Sequence, residues 1–386
     1  MMMSRRAVLA SATMAAAGGL VGAAPVALAG GRPRVEDALR GAIRRLPDRP
    51  DGPPAVVVAV GRGAELSLYT AGTARLGTQR PPRADDHMRV ASVAKAFSGA
   101  ASLALVSSGR LSLDSTIGRT VRGLPRQFSD VTLRQLLGHT SGIPDFSGTR
   151  AFRDTVSANL LNPPPPRELL SFIADDDLEF RPGSRYEYSN SDNILVGLMC
   201  EAVTGSRYEE VLSRRVLQPL GLRDTSLPRG AAMPAPFLRG YDTTGPGAPE
   251  DVTSTIAAGW SWASGGVVST PSDLVRFIRG YVGGALTDRK TREAQFRFRS
   301  GGSEPPGPGT NSAGLALFRY DTRYGTVYGH TGNTPGYTQF AAATPDGRGG
   351  VAVSITAQIT PTTGPPLFGQ LREIFELAVG VLLSRS

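Results

Sequence analysis

Cysteine is nearly missing from this chain of 386 residues: Cys200 stands alone. A single thiol excludes an intramolecular disulfide and any zinc or iron–sulfur site built on several thiolates. Its place in the apolar run 193–200 gives it the character of a small packed hydrophobe. Histidine is scarce as well: His87, His139 and His330 are scattered, with no H-E-x-x-H among them, so neither a metal nor another cofactor is expected. G-x-S-x-G, phosphate-loop and dinucleotide fingerprints are absent too. The formal net charge is +9, yet the arginines are spread without a basic run or interleaved aromatics, which argues against nucleic acid as a partner. The rarest basic residue is the most informative. Of 42 lysines and arginines, only Lys95 and Lys290 are lysine. Arginine stays protonated in proteins, whereas a buried lysine can lose its proton near neutrality and act as a base.

What is present suits a globular, loop-rich enzyme. Hydrophobic residues make up 40% of the chain, enough for one large domain or two interleaved ones, and 47 glycines with 30 prolines require many turns. Residues 1–29 combine Arg5 and Arg6 with an apolar Ala/Gly-rich stretch ending in Ala27-Leu28-Ala29, the small-x-small pattern of an export signal. Ser4-Arg5-Arg6-Ala7-Val8-Leu9 resembles a twin-arginine signal. The expectation is a secreted or envelope-associated protein of residues 30–386, with no stable membrane insertion once the signal is cleaved.

Residues 35–46 have helical periodicity, and 55–60 and 66–69 read as a hairpin across Gly61-Arg62-Gly63. Residues 92–109 give a long helix rich in small residues, opened by Ser92 as its cap. Prolines 163–166 lead into a short helix over 168–174, a further helix spans about 192–203 up to Gly205, and another opens at Thr270-Pro271-Ser272-Asp273. Runs at 313–319, 325–331, 336–343 and 350–356 read as an antiparallel meander, followed by a closing helix over 367–383. Strands at both ends and helices between them predict an α+β fold. Its antiparallel sheet is built from the N- and C-terminal segments, about 30–110 and 256–386, and flanked by helices; a mostly helical part covers about 111–255. The active site is expected between the two parts.

Three motifs carry chemistry. Ser92-Val93-Ala94-Lys95 has the S-x-x-K spacing, which on a helix brings hydroxyl and amine to one face. Serine is inert until something takes its proton, and lysine can do so only if its pKa falls by about 3 units, roughly 4 kcal/mol. Tyr188-Ser189-Asn190 follows the turn Phe180-Arg181-Pro182-Gly183; a phenol can relay protons, and an amide can hold a substrate amide. His330-Thr331-Gly332-Asn333 lies in a glycine-rich strand whose edge can accept an extended acyl group.

In this order, S-x-x-K, Y-x-N and H-T-G resemble the serine acyltransferases that include D-alanyl-D-alanine carboxypeptidases, class C β-lactamases and related esterases. Supporting stretches are Leu136-Leu137-Gly138-His139-Thr140-Ser141-Gly142-Ile143, Pro219-Leu220-Gly221-Leu222 and Ser264-Gly265-Gly266-Val267-Val268-Ser269-Thr270. The likeness covers most of residues 35–360 and implies a β-lactamase/transpeptidase-like fold. It makes Ser92 the nucleophile, Lys95 its activator and Tyr188 the second proton carrier. Asn190 would orient substrate beside His330, Thr331, Gly332 and Asn333, and the backbone N–H groups of Ser92 and Asn333 would form the oxyanion hole. Trp260 resembles an aromatic wall of the cleft, with a core tryptophan as the other reading. Histidine replaces the lysine of many β-lactamases, which favours the carboxypeptidase and esterase side. A neutral imidazole nevertheless gives a substrate carboxylate less than an ammonium would unless Arg319 or Arg323 helps, and Asn333 in place of the usual Ser or Thr weakens terminal-carboxylate recognition. Ser191-Asp192-Asn193 is not read as a class A S-D-N element, because no Glu-x-x-Leu-Asn follows it. The implied activity is that of a D-alanyl-D-alanine carboxypeptidase acting on peptidoglycan stem peptides and acylated by β-lactams. The alternatives are a class C-like β-lactamase, an esterase or D-amino-acid amidase of the same fold, and a penicillin-receptor module without turnover.

Overall fold

Valine fills the strand Ala55–Arg62, and almost every residue in it is buried, which requires cover on both faces of the sheet. Val57 and Ala59 point into the larger core, while Val56, Val58 and Val60 point into a second core on the opposite face. The computed structural model describes residues 34–362 and 364–384, so the export-signal reading of residues 1–29 lies outside the described residues.

The main sheet has eight antiparallel strands. Their order is Glu65–Gly72, Ala55–Arg62, Gly349–Ile355, Tyr337–Ala343, Gly325–Thr334, Phe318–Thr322, Thr310–Ala313 and Arg299–Ser300. The N- and C-terminal segments therefore pair within one sheet, one strand in from its edge, where Val56 pairs with Ile355 and Val60 with Val351. Helices Val35–Arg45 and Pro365–Leu383 pack together over one face. Pro271–Gly283 covers the other face, and beyond it lie the helices Ala94–Ser107 and Asn190–Thr204. The result is the α+β, β-lactamase/transpeptidase-like architecture expected from the sequence. Among the described residues, no helix is long and apolar enough to cross a membrane.

Local signals place most helix ends. Thr270 caps Pro271–Gly283 by accepting from the Asp273 N–H at 3.2 Å, and Gly205, at φ +67°, ends Asn190–Thr204 in the left-handed region. Four expectations need correction. The hairpin turns at Gly63-Ala64 rather than across 61–63, because pairing continues through Arg62 and Glu65. Residues 166–173 wind as a 3-10 helix, not an α-helix. The run 313–319 is two strands separated by a turn: Gly314 N–H donates to the Leu317 carbonyl, and Ala316, at φ +53°, donates its N–H to the Leu137 carbonyl. That turn supports the Ala94–Ser107 helix at Gly99, where a Cβ would lie 2.1 Å from the Ala316 Cβ. Lastly, the helix expected from residue 92 begins at Ala94, after a separate 3-10 turn over Ala91–Val93.

Candidate active site

That 3-10 turn is what exposes the serine. Ala91 is held at φ +49°, an unfavourable conformation for a residue with a Cβ, and Ser92 follows it partly open to solvent. Ser92 makes no capping bond to the helix, contrary to expectation. Its Oγ instead lies 3.1 Å from the Lys95 Nζ, one turn along.

Lys95 is wholly buried, and burial lowers its pKa to about 7, against the opposing pull of Asp145, Glu304 and Asp192. Two groups near its Nζ can only accept: the Asn190 Oδ1 at 2.7 Å and the Ser264 carbonyl at 2.9 Å. The Asn190 orientation is fixed because its Nδ2 donates to the Asp145 carboxylate at 2.8 Å and to the Ser147 Oγ at 2.9 Å. In the neutral amine both N–H bonds are thus directed at Asn190 and Ser264, and the lone pair is left for the Ser92 hydroxyl. This arrangement can take the serine proton.

The ring of Tyr188 lies 4.9 Å from the Lys95 Nζ, and its hydroxyl is buried without a hydrogen-bond partner. Burial pushes this phenol well above its usual value, with the nearby Ser92 hydroxyl acting the other way. It remains a phenol, able to donate a proton but not to serve as a resting phenolate. A buried chain of groups sets its position. The Ser141 hydroxyl donates to Asp192 at 2.5 Å, Asp192 is 2.9 Å from the His139 Nδ1, and the His139 ring lies 4.6 Å from that of Tyr188. The Glu187 N–H donates to the His139 carbonyl at 2.9 Å, which ties the Tyr188 segment to the 136–143 stretch.

The third motif is brought to the same place, with its side chains used differently from what was expected. Gly332 runs past the nucleophile turn so closely that a Cβ there would lie 2.4 Å from the Val90 carbonyl and 2.9 Å from the Ser92 nitrogen. His330 is fully buried, 6.4 Å from Tyr188 ring to ring, and burial followed by Lys95 lowers its pKa to about 3. It is neutral and enclosed, and its Nε2, like the Tyr188 hydroxyl, is buried without a hydrogen-bond partner. The Thr331 hydroxyl donates to the Pro305 carbonyl at 2.5 Å, and the Asn333 amide donates to the Ile359 carbonyl at 2.8 Å and accepts from Thr338 at 3.1 Å. Asn190 is likewise engaged with Lys95, Asp145 and Ser147, so its amide does not stand free for a substrate. Of the strand, the backbone is what remains: pairing with Phe318–Thr322 stops at Gly329, leaving one edge of 330–334 outside that ladder.

Trp260 is a core residue, not a cleft wall. It is 2% exposed, donates toward the Asn159 and Leu160 carbonyls, and packs on Phe152. Arg319 and Arg323 are engaged with Asp321 and Glu373. Sequence reasoning missed four contributors: Asp145 and Ser147, which hold Asn190; the Ser264 carbonyl, although its stretch was singled out; and Glu304, which acts electrostatically on Lys95. A polar residue in a Gly/Pro-rich segment gives no local sign of such a role.

The eight-stranded sheet, with a serine and a buried lysine one turn apart beside it, defines a serine hydrolase of the β-lactamase fold. The family model described as Beta-lactamase matches residues 39–374, and the chain belongs to that family. It is 24% identical over 297 residues to a penicillin-binding protein of Bacillus subtilis (strain 168), covering 73% of this chain and 63% of that relative's length. Among solved structures it is similar to a D-stereospecific amidohydrolase from Streptomyces sp. (28% identity, 83% of this chain and 94% of that one, TM-score 0.74). It is also similar to the D-amino acid amidase from Ochrobactrum anthropi SV3 (26% identity, 90% and 99% covered, TM-score 0.75).

Proposed function

We propose that this protein hydrolyses amides of D-amino acids through an acyl-enzyme on Ser92. The observation that carries the chemistry is the placement of Lys95, whose two N–H bonds have fixed acceptors and whose lone pair faces the Ser92 Oγ at 3.1 Å. Ser92 Oγ attacks the substrate carbonyl carbon while its proton passes to the Lys95 Nζ. The backbone N–H groups of Ser92 and Asn333 receive the developing oxyanion, an arrangement in which each donor is worth roughly 3–4 kcal/mol of barrier. As the tetrahedral intermediate collapses, Tyr188 gives its phenolic proton to the leaving nitrogen and regains one from Lys95. Water then attacks the Ser92 ester, yielding its proton through the same pair, and the acid leaves as Ser92 regains its hydrogen.

The choice of an amide over a D-alanyl-D-alanine peptide rests on charge. A carboxypeptidase substrate ends in a carboxylate, while His330 is neutral with a pKa near 3 and Arg319 and Arg323 are held by their own acids. The resemblance to D-stereospecific amidohydrolases supports the same reading. The second reading is a D-alanyl-D-alanine carboxypeptidase acting on peptidoglycan stem peptides and acylated by β-lactams, favoured by the likeness to a penicillin-binding protein. Either reading is proposed for a protein acting outside the cytoplasm, on the strength of residues 1–29. The test is a hydrolysis panel. Ammonia released from D-phenylalanine amide, with little D-alanine released from a D-alanyl-D-alanine peptide, is expected. The reverse pattern establishes the second reading, and rapid consumption of a β-lactam without either points to a β-lactamase.

A further inference from the structure

The segment 301–305 runs beside the site, between Tyr186 and Thr331, and is tied down on both sides. The Tyr186 hydroxyl donates to the Gly302 carbonyl at 2.5 Å, and the Thr331 hydroxyl donates to the Pro305 carbonyl. Between them the Ser303 hydroxyl donates to the Pro305 carbonyl at 3.1 Å and accepts from Tyr320 at 3.0 Å. Glu304 is therefore carried on a fastened strap between Tyr186, two residues before the phenol Tyr188, and the edge of the 330–334 strand beside Ser92.

The Glu304 side chain is open to solvent, yet surrounding protein and then Asp145 raise its pKa, with Lys95 acting in the opposite direction. Both observations suit a group lining a cleft rather than one projecting from a convex surface. Its field reaches Lys95, Tyr186 and Tyr188. Among the described residues its carboxylate forms no ion pair or hydrogen bond, whereas Asp145 is committed to Asn190 and Ser147. With Lys95 neutral in its reactive form, the groups that act on Glu304 leave its charge unmatched; Arg185, Arg297 and Arg299 line the adjoining pocket beyond Tyr186. A bound cation would satisfy the Glu304 charge; a carboxylate would be repelled.

Resting on the acyl-enzyme reading above, we infer that Glu304 selects substrates bearing a protonated amine close to the scissile carbonyl, such as the free α-ammonium group of an amino-acid amide or ester. Acylated amines and substrates with a carboxylate at that position are disfavoured. Glu304 is thus a specificity residue for the substrate, in addition to its field at Lys95, which is why the test reads a ratio between two substrates rather than a rate.

The test compares acylation of Ser92 by the p-nitrophenyl esters of D-phenylalanine and of N-acetyl-D-phenylalanine, followed by p-nitrophenol release and intact mass. The wild type is expected to favour the free amine at least tenfold in kcat/KM, and Glu304→Gln is expected to reduce that ratio about tenfold or more. Glu304→Asp, which keeps the charge on a shorter stem, is expected to retain part of the preference. The thermal midpoint of each variant, unchanged from the wild type, separates lost selectivity from lost folding. Acylation with a ratio that Glu304→Gln leaves unchanged overturns this inference alone. Failure of both esters to acylate Ser92 overturns the acyl-enzyme reading and the inference with it.

Discussion

The pH dependence of Ser92 acylation follows directly from the environment of Lys95. An exposed lysine, with a pKa of about 10.5, has roughly one molecule in three thousand neutral at pH 7. Burial brings Lys95 to about 7, where half the molecules hold the free base, a gain of about three orders of magnitude in the reactive form. Acylation should rise tenfold per pH unit below 7 and level off above it, so that the rate at pH 5 is about one hundredth of the plateau. Stopped-flow measurement with a chromogenic ester or β-lactam between pH 5 and 9 gives this curve. His330, near 3, and Tyr188, well above 10, add no limb inside that window. Lys95→Arg, which cannot deprotonate, should lower the rate by about a thousandfold or more across the whole range. A flat profile, or a limb near 10, would refute the reasoning.

Asp145→Asn removes the charge that most strongly opposes the fall in the Lys95 pKa, so the acidic limb should move below 7; the same pH series checks it. Gly332→Ala places a methyl group against the backbone of Val90, Ser92 and Val93, where no side chain can yield. It should cost about 1–3 kcal/mol in urea unfolding and slow acylation about a hundredfold by displacing Ser92. Trp260→Phe loses donation to the Asn159 and Leu160 carbonyls, so stability should fall by about 1 kcal/mol with KM unchanged. A several-fold change in KM would return Trp260 to the cleft.

The sheet was legible where strands are long and apolar: the valines of 55–60 and the buried runs near 337–343 and 349–355 leave no other use for so many β-branched and small residues. The segment 313–319 misled because Gly314-Leu315-Ala316-Leu317 is as apolar as a strand. Its turn is set by contacts with Leu137 and Gln295, far away in sequence. Ser92 and Lys95 were found because the S-x-x-K spacing brings hydroxyl and amine to one face of a turn, and Tyr188 because Tyr188-Ser189-Asn190 follows them in the order of the resembled family. The use of each side chain was harder to read. Thr331 and Asn333 lie in the expected glycine-rich segment, yet the uses of their side chains depend on Pro305, Thr338 and Ile359, which no local pattern reveals. Asp145 and Glu304 were invisible for the same reason: a single acid in a loop acquires its role only when the fold brings Lys95 beside it.

The most direct measurement is intact-mass and peptide mapping of the wild type, Ser92→Ala and Lys95→Arg proteins quenched within seconds of mixing with an activated acyl donor. The account predicts one acyl group per wild-type chain, carried on the peptide containing Ser92, none on Ser92→Ala, and little on Lys95→Arg. An adduct on another residue, or equally fast labelling of Lys95→Arg, would contradict it.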